Sequence, residues 1–178
     1  DDPANTTWQR DRSVGHDKIG DVLVAQGDGP GALAAYEQSF AIRAELAALD
    51  PANTLWQRDF AVSHNKLGDI QVTQGDLPAA LGHYQAGLAA TADLARRDPA
   101  NTLWQRDLAV SHNKVGDILA AQGDSAAALG AYRQGLAIAQ SVIADKHGGN
   151  AVFVLLAASA GVGTLLFAFC RPAQAHKC

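Results

Sequence analysis

Cysteine, methionine and aromatic residues are scarce in this sequence. Its 178 residues include no methionine and two cysteines, Cys170 and Cys178, both at the C-terminal end. No disulfide framework can therefore hold the preceding residues together, and a reducing compartment is permitted. Aromatic residues make up only 6% of the chain. Because a β-sandwich favours aromatic and β-branched residues, this composition favours closely packed helices.

An excess of positive charge is also missing. Fourteen basic and 18 acidic residues give a net charge of −4. This balance argues against a nucleic-acid partner, because a general nucleic-acid binder needs a basic surface to displace counterions. The sequence opens inside a repeat and contains no methionine, so we expect a fragment or processed piece of a longer protein.

What the chain does contain is a tandem repeat. The pentapeptide Asp-Pro-Ala-Asn-Thr starts at Asp2, Asp50 and Asp98, a spacing of 48 residues without insertions. Other residues return in register: Trp8, Trp56 and Trp104; His16, His64 and His112; Lys18, Lys66 and Lys114; Tyr36, Tyr84 and Tyr132. Such self-similarity identifies a stacked-repeat architecture. The predicted repeats are 2–49, 50–97 and 98–145, within a repeat domain over 1–148.

Each repeat is predicted to form two helices. In the second copy, one apolar stripe of helical spacing ends at Gly75, and another starts after Asp76. Asn53 and Asp76 are suited to cap the two helix starts, because their side chains can accept from free backbone N–H groups. Gly75 can take the left-handed conformation that ends a helix, and Asp98-Pro99 closes the second helix. The short turn at Gly75 requires the two helices to be antiparallel.

Small and aromatic residues in each repeat resemble the tetratricopeptide repeat. The pattern is a Gly in the first helix, an Ala twelve residues later, a Tyr four beyond it and a small residue three further on. These residues are Gly20, Ala32, Tyr36 and Ser39; Gly68, Ala80, Tyr84 and Gly87; and Gly116, Ala128, Tyr132 and Gly135. The resemblance covers residues 2 to about 146. It implies an all-α, right-handed superhelical solenoid of three antiparallel hairpins, whose first helices line a concave groove.

The resemblance also implies a function. Tetratricopeptide arrays are protein–protein interaction scaffolds, so we expect the groove to bind a peptide or protein, with no cofactor and no enzymatic activity. The 48-residue unit exceeds the family's usual length of about 34 residues. Long units of this kind are similar to arrays attached to bacterial signalling enzymes such as kinases and proteases. The resemblance therefore implies a cytoplasmic part of a larger signalling protein.

Matching by position places one trio of residues from each first helix in the groove. The trios are Val14, Asp17 and Asp21; Val62, Asn65 and Asp69; and Val110, Asn113 and Asp117. We expect the six polar side chains to bind a basic or amide-rich peptide, because their acidic row would repel a terminal carboxylate. The alternative is a solvated face whose charge is neutralised by the three repeated lysines.

Neither a metal site nor a catalytic set is predicted. His16, His64 and His112 occur once per repeat, and packed helices lie about 10 Å apart. Zinc ligands must each lie about 2.1 Å from one ion, so we interpret the histidines as packed side chains where the family often has tryptophan. The adjacent serine and histidine in two repeats point about 100° apart on a helix, so they cannot form a nucleophile and its base.

The C-terminal residues 149–178 break the repeat. Residues 151–170 contain no charge, would span about 30 Å as a helix and precede basic residues. We predict a C-terminal hydrophobic helix, and a membrane-spanning tail is the preferred interpretation. The alternatives are an end-capping helix derived from a fourth repeat and an artefactual tail. Basic residues after the span would place the C-terminal end in the cytoplasm. A cytoplasmic repeat domain needs the opposite orientation.

A structural role is the competing function. The chain would then be a spacer or self-association module, tethered to a membrane through residues 151–170. A specific ligand whose binding is lost on groove substitution would favour the scaffold. Concentration-dependent assembly without a foreign ligand would favour the structural module.

Overall fold

The structure, a computed structural model, describes residues 5–146. Within this range the chain forms six α-helices and no β-strand. The helices are α1 (Thr6–Ala25), α2 (Gly29–Leu49), α3 (Thr54–Thr73), α4 (Leu77–Arg97), α5 (Thr102–Ala121) and α6 (Ser125–Lys146). The predicted all-α class and the two long helices in each repeat are thus confirmed.

The helix boundaries follow from the predicted caps. The Oδ1 atom of Asn53 accepts a hydrogen bond from the backbone N–H of Trp56 at 3.2 Å, at the start of α3. The Oδ1 atom of Asp76 accepts one from the backbone N–H of Ala79 at 3.1 Å, at the start of α4. Between these helices Gly75 has a φ of 80°, a conformation that other residues rarely adopt. Equivalent asparagine, glycine and aspartate residues act at the other two hairpins.

A glycine and a tyrosine close each hairpin. A β-carbon at Gly68 of α3 would lie 2.5 Å from Cε1 of Tyr84 of α4, so only glycine admits the ring at this position. The Tyr84 hydroxyl donates a hydrogen bond to Asp69 at 2.5 Å. Further along the hairpin, Asn65 approaches Gly87. From the Gly68–Tyr84 contact to the Asn65–Gly87 contact, the residue number falls along α3 and rises along α4. The two helices are therefore antiparallel.

Consecutive repeats share a hydrophobic core. At the first junction, Ala32 and Tyr36 of α2 pack with Leu67 and Ile70 of α3. The same positions of the next two repeats form the second junction: Ala80, Tyr84, Val115 and Ile118. These side chains are 0–7% exposed, and burial of each large apolar side chain stabilises the junction by about 1.5–3 kcal/mol. The repeats therefore pack in chain order, each hairpin on the next.

None of α1 to α6 has both the length and the apolar character needed to cross a bilayer. This finding concerns residues 5–146 alone. The predicted tail at 151–170, with its membrane, capping and artefactual alternatives, lies outside the described residues.

Candidate partner-binding face

An arginine ladder connects the N-terminal halves of the first helices. The Nε atom of Arg10 donates a hydrogen bond to Oδ2 of Asp59 at 2.6 Å. In the next repeat Arg58 donates to Asp107 in the same way at 2.7 Å. The two arginine side chains are 33% and 32% exposed, so each ion pair contributes only about 0.2–1 kcal/mol. Their main effect is to set the register between neighbouring first helices.

A lysine ladder connects the C-terminal halves of the same helices. Lys66 of α3 donates to Asp21 of α1, and Lys114 of α5 donates to Asp69 of α3 at 2.5 Å. Because both ladders join equivalent positions of consecutive repeats, α1, α3 and α5 lie side by side and run in the same direction.

An apolar row lies between the two ladders. It consists of Val14, Val62 and Val110, and each valine is one helical turn from the arginine and the lysine of its own helix. Val14 is 37% exposed and Val110 is 42% exposed, while Val62 is half-buried. The apolar row and the two flanking ladders together are called the first-helix face below.

The predicted acidic row lies on this face. Asp21 and Asp69 each accept a hydrogen bond from the tyrosine of their own hairpin and another from the lysine of the following repeat. Asp117 accepts from Tyr132 at 2.8 Å, and no lysine among the described residues binds it. Two of the three carboxylates are thus already neutralised by lysine, as the solvated-face alternative requires, although the lysines come from the following repeat.

The other three predicted residues point between helices. Asp17 is buried and forms an ion pair with Arg43 of α2 at 2.7 Å. The Oδ1 atom of Asn65 is buried and has no hydrogen-bond partner among the described residues. Asn113 lines a cavity between α5 and α6. The structure therefore brings Asp21, Asp69 and Asp117 together on the first-helix face and sets Asp17, Asn65 and Asn113 apart from it.

The pKa values of Asp21, Tyr36 and Tyr84 in the lysine ladder depart from their ordinary values. Partial burial acts to raise the pKa of Asp21, but the hydrogen bonds from Lys66 and Tyr36 outweigh it, and the pKa is lowered from its ordinary value. Burial first, and then the hydrogen bond to the neighbouring carboxylate, raises the pKa of Tyr36 and of Tyr84. At neutral pH the Asp21 carboxylate is therefore ionised, while Tyr36 and Tyr84 are neutral.

A histidine pair lies within the second hairpin, next to Phe40 of the first repeat. The Nδ1 atoms of His64 and His83 are 2.9 Å apart, and the rings of Phe40 and Phe60 lie 4.9 Å and 4.7 Å from the His64 ring. Sequence reasoning found His64 but missed His83, because His83 occurs in only one repeat. Within residues 5–146 no group of three or more His, Cys, Asp or Glu residues could hold a metal ion.

The histidine pair is expected to make the fold sensitive to mild acid. Burial, and then the positive charge of His83, lowers the pKa of His64 from 6.5 to about 4. Between these values the unfolded chain binds more protons than the folded chain, so stability falls as the pH falls. Going from pH 7 to pH 4.5 should cost about 2 kcal/mol through His64, measured by urea unfolding followed by circular dichroism.

The His64→Phe variant is the control for this titration. It keeps a ring beside Phe40 and Phe60 but removes the titrating group. Its loss of stability over the same pH interval should be smaller than that of the native chain by about 2 kcal/mol. Equal losses in the two proteins would show that His64 does not titrate in this way.

A scan of the sequence against protein-family models gives no match, and a search of curated proteins gives no match either.

Proposed function

We propose that this chain is a tetratricopeptide-like protein-interaction scaffold that binds a peptide or protein segment along the first-helix face. Its hairpins would continue into a right-handed superhelical solenoid, in a cytoplasmic part of a larger signalling protein. The observation that carries the proposal is the row of three valines, two exposed and one half-buried, held at regular intervals between two ladders of ion pairs. A regular row of apolar side chains with a polar border is the composition of protein-binding surfaces.

The ion pairs support this proposal by fixing the geometry of the face before a partner binds. Arg10 and Lys66 each tie one first helix to the next, so little conformational freedom remains to be lost on binding. An extended segment could then cross α1, α3 and α5 and contact one valine in each repeat. Apolar contacts would supply most of the affinity.

The remaining charge on the face bears on the choice of partner. Asp21 and Asp69 are bound to lysines and offer little attraction to a basic ligand. No lysine among the described residues binds Asp117, which is exposed and accepts a hydrogen bond from Tyr132. We therefore propose that the basic or amide-rich part of the partner lies at the third repeat, while the apolar row binds the rest.

Selection of peptides from a random display library against the immobilised chain tests this function. For the selected peptides, the Val62→Asp/Val110→Asp variant should raise Kd by at least about tenfold, equivalent to about 1.4 kcal/mol. The Ala89→Asp variant places one such negative charge on an exposed position of α4 and should change Kd by less than about twofold. Failure to enrich any peptide, or equal loss of binding in both variants, would contradict the proposal.

A further inference from the structure

The two junctions between repeats are built in the same way. Toward the following repeat, each hairpin presents the arginine and the aspartate of its first helix, as Arg10 and Asp21 do. Toward the preceding repeat, it presents an aspartate, a lysine and two apolar residues. In α3 these are Asp59, Lys66, Leu67 and Ile70. In α5 they are Asp107, Lys114, Val115 and Ile118.

Helix α1 presents the second of these two surfaces without a preceding repeat among the described residues. Its equivalent charged residues are Asp11 and Lys18, both exposed. Its apolar pair is Ile19 and Val22, which are 54% and 56% exposed. The equivalent residues of α3 and α5 are only 3–7% exposed. We call this the head surface.

Helices α5 and α6 present the first surface. Arg106 and Asp117 are exposed and stand where Arg10 and Asp21 hold the next repeat. No ion pair engages either residue within the described part of the chain. Beside Arg106 lies an open cavity of about 640 Å³, lined in part by Leu136 and Ile143, which are 57% and 58% exposed. We call this the tail surface.

We propose that two copies of this chain associate head to tail, with α1 of one copy packing on α5 and α6 of the other. Asp11 would bind Arg106, and Lys18 would bind Asp117, repeating the ladders seen twice within the chain. Ile19 and Val22 would become buried against the Tyr132 hairpin. Because the head and tail surfaces are different, the contact is heterologous and can extend beyond a dimer.

Charge complementarity selects a second copy over the chain's own C-terminal residues as the occupant of the tail surface. Residues 147–178 contain no aspartate or glutamate, so they offer no side-chain carboxylate to Arg106. A second copy offers both the Asp11 carboxylate and the Lys18 ammonium group, on a helix whose apolar residues already match those of α3 and α5. This association goes beyond the proposed function and engages Asp117, so it would compete with the basic part of a bound peptide for that carboxylate.

Sedimentation velocity of the full chain, over a range of concentrations, tests the proposal. The native chain should form species larger than a monomer as concentration rises to about 100 μM, a range that detects contacts of about −5 to −8 kcal/mol. A tail variant, Arg106→Asp/Asp117→Lys, and a head variant, Asp11→Arg/Lys18→Asp, should each associate at least about tenfold more weakly. Both variants alter exposed residues, and circular dichroism verifies that they remain folded.

An equimolar mixture of the two variants tests whether the head and tail surfaces contact each other. In the tail variant, the reversed tail surface does not match the native head surface of other copies of the same variant. It does match the reversed head surface of the head variant. The native tail and native head that remain also match each other, so the mixture should recover association to within about threefold of the native chain. The Glu45→Arg variant changes an exposed residue of α2 and should associate like the native chain.

Two results would overturn the proposal. One is a native chain that stays monomeric throughout the concentration range, as expected if residues 147–178 or nothing at all covers the tail surface. The other is association that both charge-reversed variants retain, which would assign the contact to a different surface, such as residues 151–170.

Discussion

Replacing Arg43 with threonine is expected to lower the free energy of unfolding by about 3–5 kcal/mol, the range for removing one partner of a buried ion pair. Arg43 is 5% exposed, and its guanidinium binds Oδ2 of Asp17 at 2.7 Å. It also donates to Oγ of Ser13 at 3.2 Å. Without Arg43, the Asp17 carboxylate would be buried beside α2 with no positive charge to offset its loss of water.

The second repeat provides the matched compensating change. Where the first repeat has Asp17 and Arg43, the second has Asn65 and Thr91, and Thr91 Oγ1 is hydrogen-bonded to Ser111 Oγ at 3.2 Å. The Asp17→Asn/Arg43→Thr variant imports this neutral arrangement. It should lie within about 1 kcal/mol of the native chain.

Urea unfolding of the single and double variants, followed by far-UV circular dichroism, measures this difference. The Asp17→Asn variant completes the double-mutant cycle and separates the ion pair from the individual side chains. If Arg43→Thr alone left the stability unchanged, the ion pair would not be buried as described. If the double variant were as unstable as Arg43→Thr, the loss would come from packing of the arginine stem.

Replacing Gly68 with alanine is the second large effect that we expect, a loss of about 2–3 kcal/mol of stability. The new β-carbon would lie 2.5 Å from the Tyr84 ring. Tyr84 cannot simply swing aside, because its ring packs in the second junction and its hydroxyl binds Asp69. The substitution therefore separates α3 from α4 and disturbs the packing of α5.

Gly82→Ala is the control for this variant, because nothing lies within 4 Å of a β-carbon at Gly82 in α4. An alanine in an open helical position should raise stability by about 0.5–1 kcal/mol. Thermal unfolding would compare the two variants, with Gly68→Ala also introduced into a Tyr84→Ala background. In that background Gly68→Ala should leave the stability nearly unchanged, since the clashing ring is gone. An equally large loss of stability would show that the cause lies outside the Gly68–Tyr84 contact.

The repeat explains why much of the fold could be predicted from the sequence. Helix caps and turns depend on residues close in sequence, so the helix boundaries could be predicted from Asn53, Gly75 and Asp76. Gly68 and Tyr84 have counterparts at the same positions of the other two repeats, and the structure shows the same contact in all three hairpins. The all-α class and the packing of consecutive helices followed from these residues.

The candidate site was harder to predict, because its contacts join different repeats. Asp21 binds a lysine 45 residues away, on the next first helix, and not Lys18, which lies three residues before it on its own helix. That pairing depends on how α1 and α3 lie side by side, which no single repeat specifies. Arg43 and His83 were missed for another reason. Each occurs in only one repeat, and its role becomes clear only when the residue that it contacts is known. One sequence feature could have indicated the Arg43 ion pair: Asp17 stands where the other two repeats have asparagine, and it is the residue that Arg43 binds.

The proposed binding face exists only if α1, α3 and α5 lie together, and a spin-label distance tests this most directly. Labels would be attached at Val14→Cys and Val110→Cys, with Cys170 and Cys178 replaced by serine. Two steps between packed helices of about 10 Å each predict a narrow pulsed electron-resonance distribution centred at about 20–30 Å. A broad distribution, or one centred beyond about 40 Å, would show that the first helices do not lie together and would contradict the shared face.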